Sequence, residues 1–219
     1  MQKLLEIKNL KVQFEFDKYF ISAVEDASLE VNENEIVGLA GESGSGKTIT
    51  AFSITKILPP KARIMGGEIT FKKQDLLKAS EENLRQIRGK EIAYIFQEPV
   101  AYLNPVMTVG EQIMEAVILH QFQDKTKAKD YVMELLNLVK IPQPKDRFYA
   151  YPHQLSGGMN QRIMLAMALA CKPSLLIADE PTTALDVTIE AAILDLLLEL
   201  KAKLNFSILF ITHNLSILH

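Results

Sequence analysis

The stretch that decides the fold of this 219-residue chain is Gly41-Glu42-Ser43-Gly44-Ser45-Gly46-Lys47-Thr48. It fits the pattern G-x-x-x-x-G-K-[ST] and lies between a short apolar run, Ile36 to Ala40, and a segment with helical periodicity. A glycine-rich turn between a strand and a helix presents backbone N–H groups that bind phosphate. We expect Lys47 to reach the β- and γ-phosphates of ATP and the Thr48 hydroxyl to ligate Mg²⁺. Further nucleotide contacts are predicted at Gly41, Ser43, Gly44, Ser45 and Gly46. The alternative is a surface turn rich in glycine and serine.

An acidic pair follows a second apolar run, since Leu175 to Ala178 leads directly into Asp179 and Glu180. Carboxylates at the C-terminal end of a parallel strand lie where such sheets bind ligands. Asp179 is predicted to hold Mg²⁺ through water, and Glu180 to polarise a water molecule toward the γ-phosphate. A solvated acidic turn is the alternative.

Strand and helix patterns alternate along the chain, which predicts an α/β fold with a parallel sheet. Segments 3–14 and 21–31 alternate between polar and apolar residues, which is typical of antiparallel strands. Residues 98–155 are predicted to form a mostly helical lobe, inserted into a nucleotide-binding core made of residues 1–97 and 156–219. The remaining predicted strands are 36–40, 92–96, 175–178 and 207–211, and the predicted helices are 47–58, 109–120, 125–140, 159–171 and 187–204.

Composition narrows the range of functions. Hydrophobic residues make up 48% of the chain and charged residues 23%, as in a water-soluble globular protein. The formal net charge is -3, so the chain as a whole has no electrostatic reason to bind nucleic acid. Cys171 is the one cysteine, which excludes an intrachain disulfide and favours the cytoplasm. The longest apolar stretch near the middle, Ile163 to Cys171, is too short to cross a bilayer, so any membrane role depends on partner chains.

A third glycine motif, Leu155-Ser156-Gly157-Gly158-Met159-Asn160-Gln161-Arg162, places a serine hydroxyl and two glycine amides at the start of a helix. Such a helix start can bind an anion, although it can also be an ordinary serine N-cap. This motif resembles the L-S-G-G-x-x-x-R signature of ABC ATPases, and the first two motifs strengthen the resemblance. The resemblance implies a P-loop NTPase core of the RecA-like type, with an N-terminal antiparallel β subdomain and an inserted α-helical subdomain. It also implies that Ser156, Gly157 and Gly158 face the γ-phosphate of ATP held by a second ABC ATPase subunit.

Further motifs of that family appear in order. Tyr94 to Gln97 is similar to the Q-loop, in which Gln97 would sense Mg²⁺ or the attacking water. Ala184-Leu185-Asp186 is similar to the D-loop at the dimer interface, although Asp186 could equally cap the next helix. Ile211-Thr212-His213 is similar to the H-loop, so His213 would stabilise the transferring phosphate unless it is a structural histidine. An aromatic residue near the N-terminus would stack on adenine. Phe14 is the first choice and Tyr19 the second, with core or hairpin packing as the alternative for both.

Three longer segments resemble the oligopeptide, dipeptide and nickel importer branch of ABC transporters. They are the Gly41-Glu42-Ser43 form of the P-loop, the stretch 97–113, and the Met159 form of the signature. The branch implies an importer subunit, peripheral on the cytoplasmic face of the membrane, that works with transmembrane permease subunits and indirectly with a solute-binding protein. The solute stays open, and the analogy favours a heteromeric ATPase pair over a homomeric one. Branch members continue beyond the H-loop, whereas this chain ends six residues after His213, so a missing C-terminal part is predicted. Asn160 is a second departure, since a basic residue is common there.

Two other classes of function compete with transport. A soluble ABC ATPase acting on DNA or ribosomes would share the three motifs, but it usually adds long coiled coils, zinc modules or a second ATPase domain. This sequence has one P-loop and no extended heptad pattern between Gln97 and Ser156. A regulatory module that binds ATP without turnover is disfavoured by Glu180 and His213. We therefore expect ATP hydrolysis and no nucleic-acid partner.

Overall fold

The computed structural model describes residues 2–17, 19–122, 124–182 and 186–214. The chain divides into two compact units, Met1–Arg88 with Ser207–His219, and Gly89–Phe206. This division differs from the predicted helical lobe at 98–155, because strands flanking that lobe share its unit. The predicted limits of the subdomains stay a prediction. None of the helices in the described ranges combines the length and the apolar character that a membrane span requires.

The first unit contains an antiparallel sheet near the N-terminus. Its strands lie in the order β2-β1-β4-β5 and are β1 (Lys3–Phe16), β2 (Tyr19–Asn32), β4 (Ala62–Phe71) and β5 (Gln74–Asp75). The first two confirm the predicted antiparallel strands and extend them into a longer hairpin. Strands β4 and β5 were not predicted from the sequence.

A bulge in β1 corrects the phase of its apolar pattern. Ile7 and Leu10 are both buried, although they are three positions apart and the side chains of a regular strand repeat every two. Asn9 lies between them with a φ of 46°, and the register with β2 shifts at this point. Opposite the bulge, a Cβ on Gly67 of β4 would lie 2.6 Å from Leu10 Cα, so only glycine fits. The extra residue keeps both apolar side chains on the buried face.

A parallel strand pair in the same unit carries the phosphate loop. Strand β3 (Ile36–Ala40) pairs in parallel with β8 (Ser207–Thr212), from Ile36 opposite Ile208 to Ala40 opposite Thr212. All six residues of β8 are buried, as in a strand covered on both faces. Helix α1 (Lys47–Ile54) follows β3, and α2 (Glu81–Ile87) follows the antiparallel sheet.

Helix α1 is shorter than the predicted segment 47–58, which was wrong at its C-terminal end. The helix ends at Ile54 because Lys56 takes a left-handed backbone with a φ of 54°. Arg88 holds this turn in place, since its Nε donates to the Thr55 carbonyl across 2.9 Å. The helix therefore ends four residues before the predicted limit at residue 58.

The second unit combines a parallel strand pair with helices. Strand β6 (Ile92–Ile95) pairs in parallel with β7 (Leu175–Asp179), whose residues are all buried. The predicted strands here are confirmed to within one residue. The helices are α3 (Pro99–Tyr102), α4 (Val109–His120), α5 (Lys125–Leu138), α6 (Pro144–Arg147), α7 (Gly157–Leu169) and α8 (Val187–Leu204), with a 3-10 turn at Pro152–Gln154.

Candidate functional site

The phosphate loop is built by left-handed glycines at the start of α1. Gly44 and Gly46 have φ values of 81° and 89°, which side-chain-bearing residues adopt only with strain. Gly46 is the N-cap of α1, and the first turn of the helix contains no acidic residue. The positive end of the helix is therefore not neutralised by its own side chains, which suits a bound phosphate.

Lys47 folds back over this loop. Its side chain is buried, and its Nζ donates to the carbonyls of Gly41 and Glu42, each across 2.8 Å. Among the described residues, no carboxylate lies within ion-pair distance of this ammonium group. A buried cation held by neutral carbonyls retains its net charge for an anionic ligand.

Strand β2 lies beside the phosphate loop. This neighbour of the loop was not predicted from the sequence. A Cβ added to Gly46 would lie 2.3 Å from the Ala23 carbonyl oxygen, so this glycine is also required by close backbone packing. A cavity of about 680 Å³ opens between β2 and the loop, lined by Ser22–Leu29 and by Leu39–Gly41, Gly44, Ser45, Lys47 and Thr50. An alternating strand pattern shows which side chains share a face, but not which loop that face meets.

The two aromatic candidates for adenine stacking lie elsewhere in the hairpin. Phe14 packs on Phe16 at 6.5 Å between ring centroids, and Tyr19 stacks on Phe16 at 5.5 Å. Neither belongs to the lining of the cavity beside the phosphate loop. Tyr19 is 59% exposed, while Phe14 is half-buried. Phe14 and Tyr19 therefore pack within the hairpin, which was the alternative predicted from the sequence. A role for either ring in stacking on adenine stays a prediction.

The acidic pair lies at the C-terminal end of β7, as predicted. Asp179 is the last residue of the strand and is buried. Glu180 takes a left-handed backbone with a φ of 46°, which is uncommon for a residue with a long side chain and concentrates at functional sites. Its Oε2 accepts a hydrogen bond from the Nε2 of Gln97 at 3.4 Å.

The serine of the third glycine motif caps α7. The Ser156 Oγ accepts from the Met159 N–H at 3.3 Å, so the N-cap alternative is confirmed. A hydroxyl that accepts a hydrogen bond keeps its own proton to donate, so the cap leaves Ser156 able to bind an anion. Ser156 and Gly157 are exposed, whereas Gly158 is buried. A Cβ on Gly158 would lie 2.9 Å from Ile189 Cγ2, so this glycine also serves the packing of α7 on α8.

Asp186 caps the next helix. Its carboxylate accepts from the Ile189 N–H at 3.0 Å, which confirms the N-cap alternative for this residue. The side chain is exposed and can still contact a second chain. Residues 183–185, which include the rest of the predicted D-loop, lie outside the described residues.

His213 follows the last residue of β8 directly. The Thr212 Oγ1 accepts from the Asn214 N–H at 2.9 Å and donates to the Asn214 carbonyl at 3.3 Å. This tight turn reverses the chain around His213, whose side chain is exposed. The predicted position at the C-terminal end of an apolar strand is therefore confirmed, while its role stays a prediction.

Burial shifts the pKa of two other titratable groups in the second unit. Burial lowers the pKa of His120, with the Lys90 charge as a smaller cause. Burial raises the pKa of the Cys171 thiol to about 11. In each case burial disfavours the charged form of the side chain.

The donor atoms of the predicted Mg²⁺ ligands suit this ion. Thr48, Asp179 and Gln97 offer a hydroxyl, a carboxylate and an amide oxygen, which are the hard oxygen donors that Mg²⁺ prefers. The described residues contain no group of three or more His, Cys, Asp or Glu side chains that would hold a metal alone.

A family model described as ABC transporter matches residues 24–183 of this chain. The chain belongs to the ABC transporter family. The matched segment includes the phosphate loop, Gln97, the Ser156 turn and the acidic pair.

Curated relatives in the ABC transporter family match nearly the whole chain. The dipeptide transport ATP-binding protein DppD of Escherichia coli (strain K12) is 49% identical over 98% of this chain and 65% of its own length. The oligopeptide transport ATP-binding protein OppD of Bacillus subtilis (strain 168) is 47% identical over 98% of this chain and 60% of its own length. The chain thus spans less than two thirds of the length of these relatives.

A solved ABC structure has the same fold. The ATP-binding cassette MJ0796, in a dimeric post-hydrolysis state bound to ADP and Pi, superposes with a TM-score of 0.85. The two chains are 26% identical, and the match covers 98% of this chain and 90% of the other. This likeness confirms the predicted ABC ATPase fold with its antiparallel β subdomain.

Proposed function

We propose that this chain is the ATP-binding and ATP-hydrolysing part of an ABC importer subunit for peptides or a related small solute. The observation that carries the proposal is the phosphate loop. There a buried, unneutralised Lys47 and the free N-terminus of α1 meet beside a cavity of about 680 Å³. The transport names of the relatives support the solute class. They give no support to the rival function on nucleic acid or ribosomes.

Each side chain has a distinct task in the proposed reaction. ATP binds with its β- and γ-phosphates against the loop amides and the Lys47 ammonium group, which moves from the Gly41 and Glu42 carbonyls to the phosphate oxygens. Glu180 orients the attacking water, because its carboxylate is presented at the end of β7. His213 donates to the transferring γ-phosphate. Phosphoryl transfer depends mainly on positioning and on neutralisation of charge, and these residues supply both.

Mg²⁺, when bound, neutralises charge on the β- and γ-phosphate oxygens. Thr48, Asp179 and Gln97 would hold it by their oxygen atoms. The role of Asp179 is supported by its burial at the C-terminal end of β7.

A second ABC ATPase subunit completes the site in this proposal. Its Ser156 turn donates to the γ-phosphate held by the first subunit, and its Asp186 lies at the shared interface. The exposed positions of Ser156, Gly157 and Asp186 support such a contact. The pair works with transmembrane permease subunits, which place it on the cytoplasmic face of the membrane, and indirectly with a solute-binding protein.

The variant Glu180→Gln tests the hydrolytic role. It removes the base that orients water, so we expect kcat to fall by about 10²- to 10⁴-fold while the Kd for MgATP stays within about twofold. Glu134→Gln, the same change at an exposed position of α5, is the matched control and should keep wild-type turnover. Wild-type kcat in the Glu180→Gln variant would refute the assignment.

Uptake of a labelled dipeptide tests the transport role separately. Cells that express the full transport complex with Lys47→Ala in this subunit should lose uptake, because the β- and γ-phosphates lose their cation. If ATP turnover is active but uptake does not depend on Lys47, the ATPase assignment stands and the coupling to import is rejected.

A further inference from the structure

A short, ordered turn precedes the Ser156 cap. Residues Pro152–Gln154 form a 3-10 turn in which the Leu155 N–H donates to the Pro152 carbonyl at 3.1 Å. At its other end, the Gln154 side chain accepts from the Tyr151 N–H at 2.9 Å. The position of Ser156 therefore depends on how this turn is attached to α7.

One buried side chain makes that attachment. Asn160, in the second turn of α7, is 2% exposed, and its Nδ2 donates to the same Pro152 carbonyl at 3.0 Å. Its backbone N–H donates to the Ser156 carbonyl at 2.9 Å. The orientation of the amide is fixed, because a carbonyl oxygen can accept only from the NH₂ side. Asn160 thus holds the residues on both sides of Leu155 against the start of α7.

Burial of the Asn160 amide has a cost in folding free energy. The Asn160 Oδ1 is buried and has no hydrogen-bond partner among the described residues. A buried acceptor without a partner destabilises a fold, and an apolar side chain of similar size would avoid this penalty. Stability alone therefore does not explain an asparagine here, whereas the bond to the Pro152 carbonyl does.

We propose that Asn160 is a positioning residue that sets the orientation of the Ser156 turn toward the γ-phosphate held by the partner subunit. The inference rests on the proposed function, since it assigns Asn160 to the signature half of the shared site. The amide restrains the Pro152 carbonyl, the carbonyl restrains Leu155, and Leu155 delivers the Ser156 hydroxyl and the Gly157 N–H.

The test replaces Asn160 by leucine in the full-length natural subunit. Asn160→Leu keeps a side chain that is branched at Cγ and removes both the bond to Pro152 and the unpartnered oxygen, and the thermal midpoint shows whether the larger leucine disturbs the packing. Asn160→Ser is the second variant, in case leucine disturbs the packing. Asn137→Leu is the matched control, because Asn137 of α5 also donates from its Nδ2 to a backbone carbonyl, that of Met133, but at an exposed position.

Two readouts decide the proposal. Hydrogen exchange of the Leu155 amide in nucleotide-free protein should accelerate about tenfold in Asn160→Leu, because the shared carbonyl loses one restraint. In the assembled transporter, kcat should fall about tenfold while KM for ATP changes less than about twofold, because binding by the phosphate loop is untouched. A residue that only supports the fold would lower the thermal midpoint instead of splitting kcat from KM.

The outcomes separate this inference from the function it rests on. If the wild-type complex hydrolyses ATP and Asn160→Leu matches Asn137→Leu in kcat and in Leu155 exchange, the role of Asn160 is rejected and the proposed function stands. If the wild-type complex shows no ATP turnover, the proposed function and this role fail together.

Discussion

Gln97 and Glu180 meet at the C-terminal ends of neighbouring strands, where the Gln97 Nε2 lies 3.4 Å from the Glu180 Oε2. Gln97 follows β6 and Glu180 follows β7, and these strands pair in parallel up to Ile95 opposite Ala178. The distance is at the long end of the range for a hydrogen bond. Gln97, the predicted sensor of Mg²⁺ or the attacking water, thus contacts Glu180, the predicted base.

Gln97→Ala removes the donor to Glu180. We expect kcat for ATP hydrolysis to fall about tenfold, the effect of one lost hydrogen bond in the transition state. The Kd for MgATP should change less, because the phosphate loop supplies most of the binding. Steady-state ATPase assays check this, with Gln86→Ala on the exposed face of α2 as the control. An equal loss in both variants would contradict a specific role for Gln97.

Lys73→Gly should stabilise the protein. Lys72 and Lys73 form the two-residue turn between β4 and β5 and both have positive φ, 47° and 67°. Glycine adopts this backbone without strain, so we expect a gain of about 0.5 to 1 kcal/mol in the free energy of unfolding. Urea titration measures it. Lys127→Gly in the first turn of α5 is the contrasting control and should lower stability.

The Cys171 thiol should react slowly with thiol reagents in the native protein. It is 5% exposed, and burial raises its pKa to about 11, so little thiolate is present at pH 8. Guanidinium unfolding should restore rapid labelling. A second thiol introduced by Val106→Cys, at a position that is 80% exposed, is the internal control and should label first. Equal rates for the two thiols in folded protein would overturn the prediction.

Glu199 should contribute a pH-dependent part of stability. Hydrogen bonds from Lys140 and then Lys203 lower its pKa from 4.5 to about 2 in the folded state. A lowered pKa stabilises the folded form above pH 4.5, and this contribution disappears as pH falls through about 2. The thermal midpoint of Glu199→Gln should therefore lie slightly below that of the wild type near pH 6. The difference should shrink toward pH 2, and a difference that does not vary with pH would contradict the mechanism.

The sequence by itself predicted where the phosphate loop and the acidic pair lie in the fold. The spacing of Gly46, Lys47 and Thr48 after an apolar run requires a strand, a tight turn and a helix start, and the structure has all three. The pair Asp179 and Glu180 followed from the same logic, because an apolar run that ends in carboxylates places them at a strand end. Short-range patterns were sufficient, since each of these features depends on residues adjacent in the chain.

Only the tertiary structure decided what surrounds these motifs. Strand β2 passes so close to Gly46 that an added Cβ would lie 2.3 Å from the Ala23 carbonyl oxygen, Arg88 donates to the Thr55 carbonyl just after α1, and Asn160 donates to the Pro152 carbonyl. Each contact joins a side chain or a glycine to a backbone carbonyl, and every residue has such a carbonyl, so no sequence pattern marks the partner. Ring packing in a hairpin and stacking on a ligand require the same residue type, so only the structure showed that Phe14 and Tyr19 both pack on Phe16.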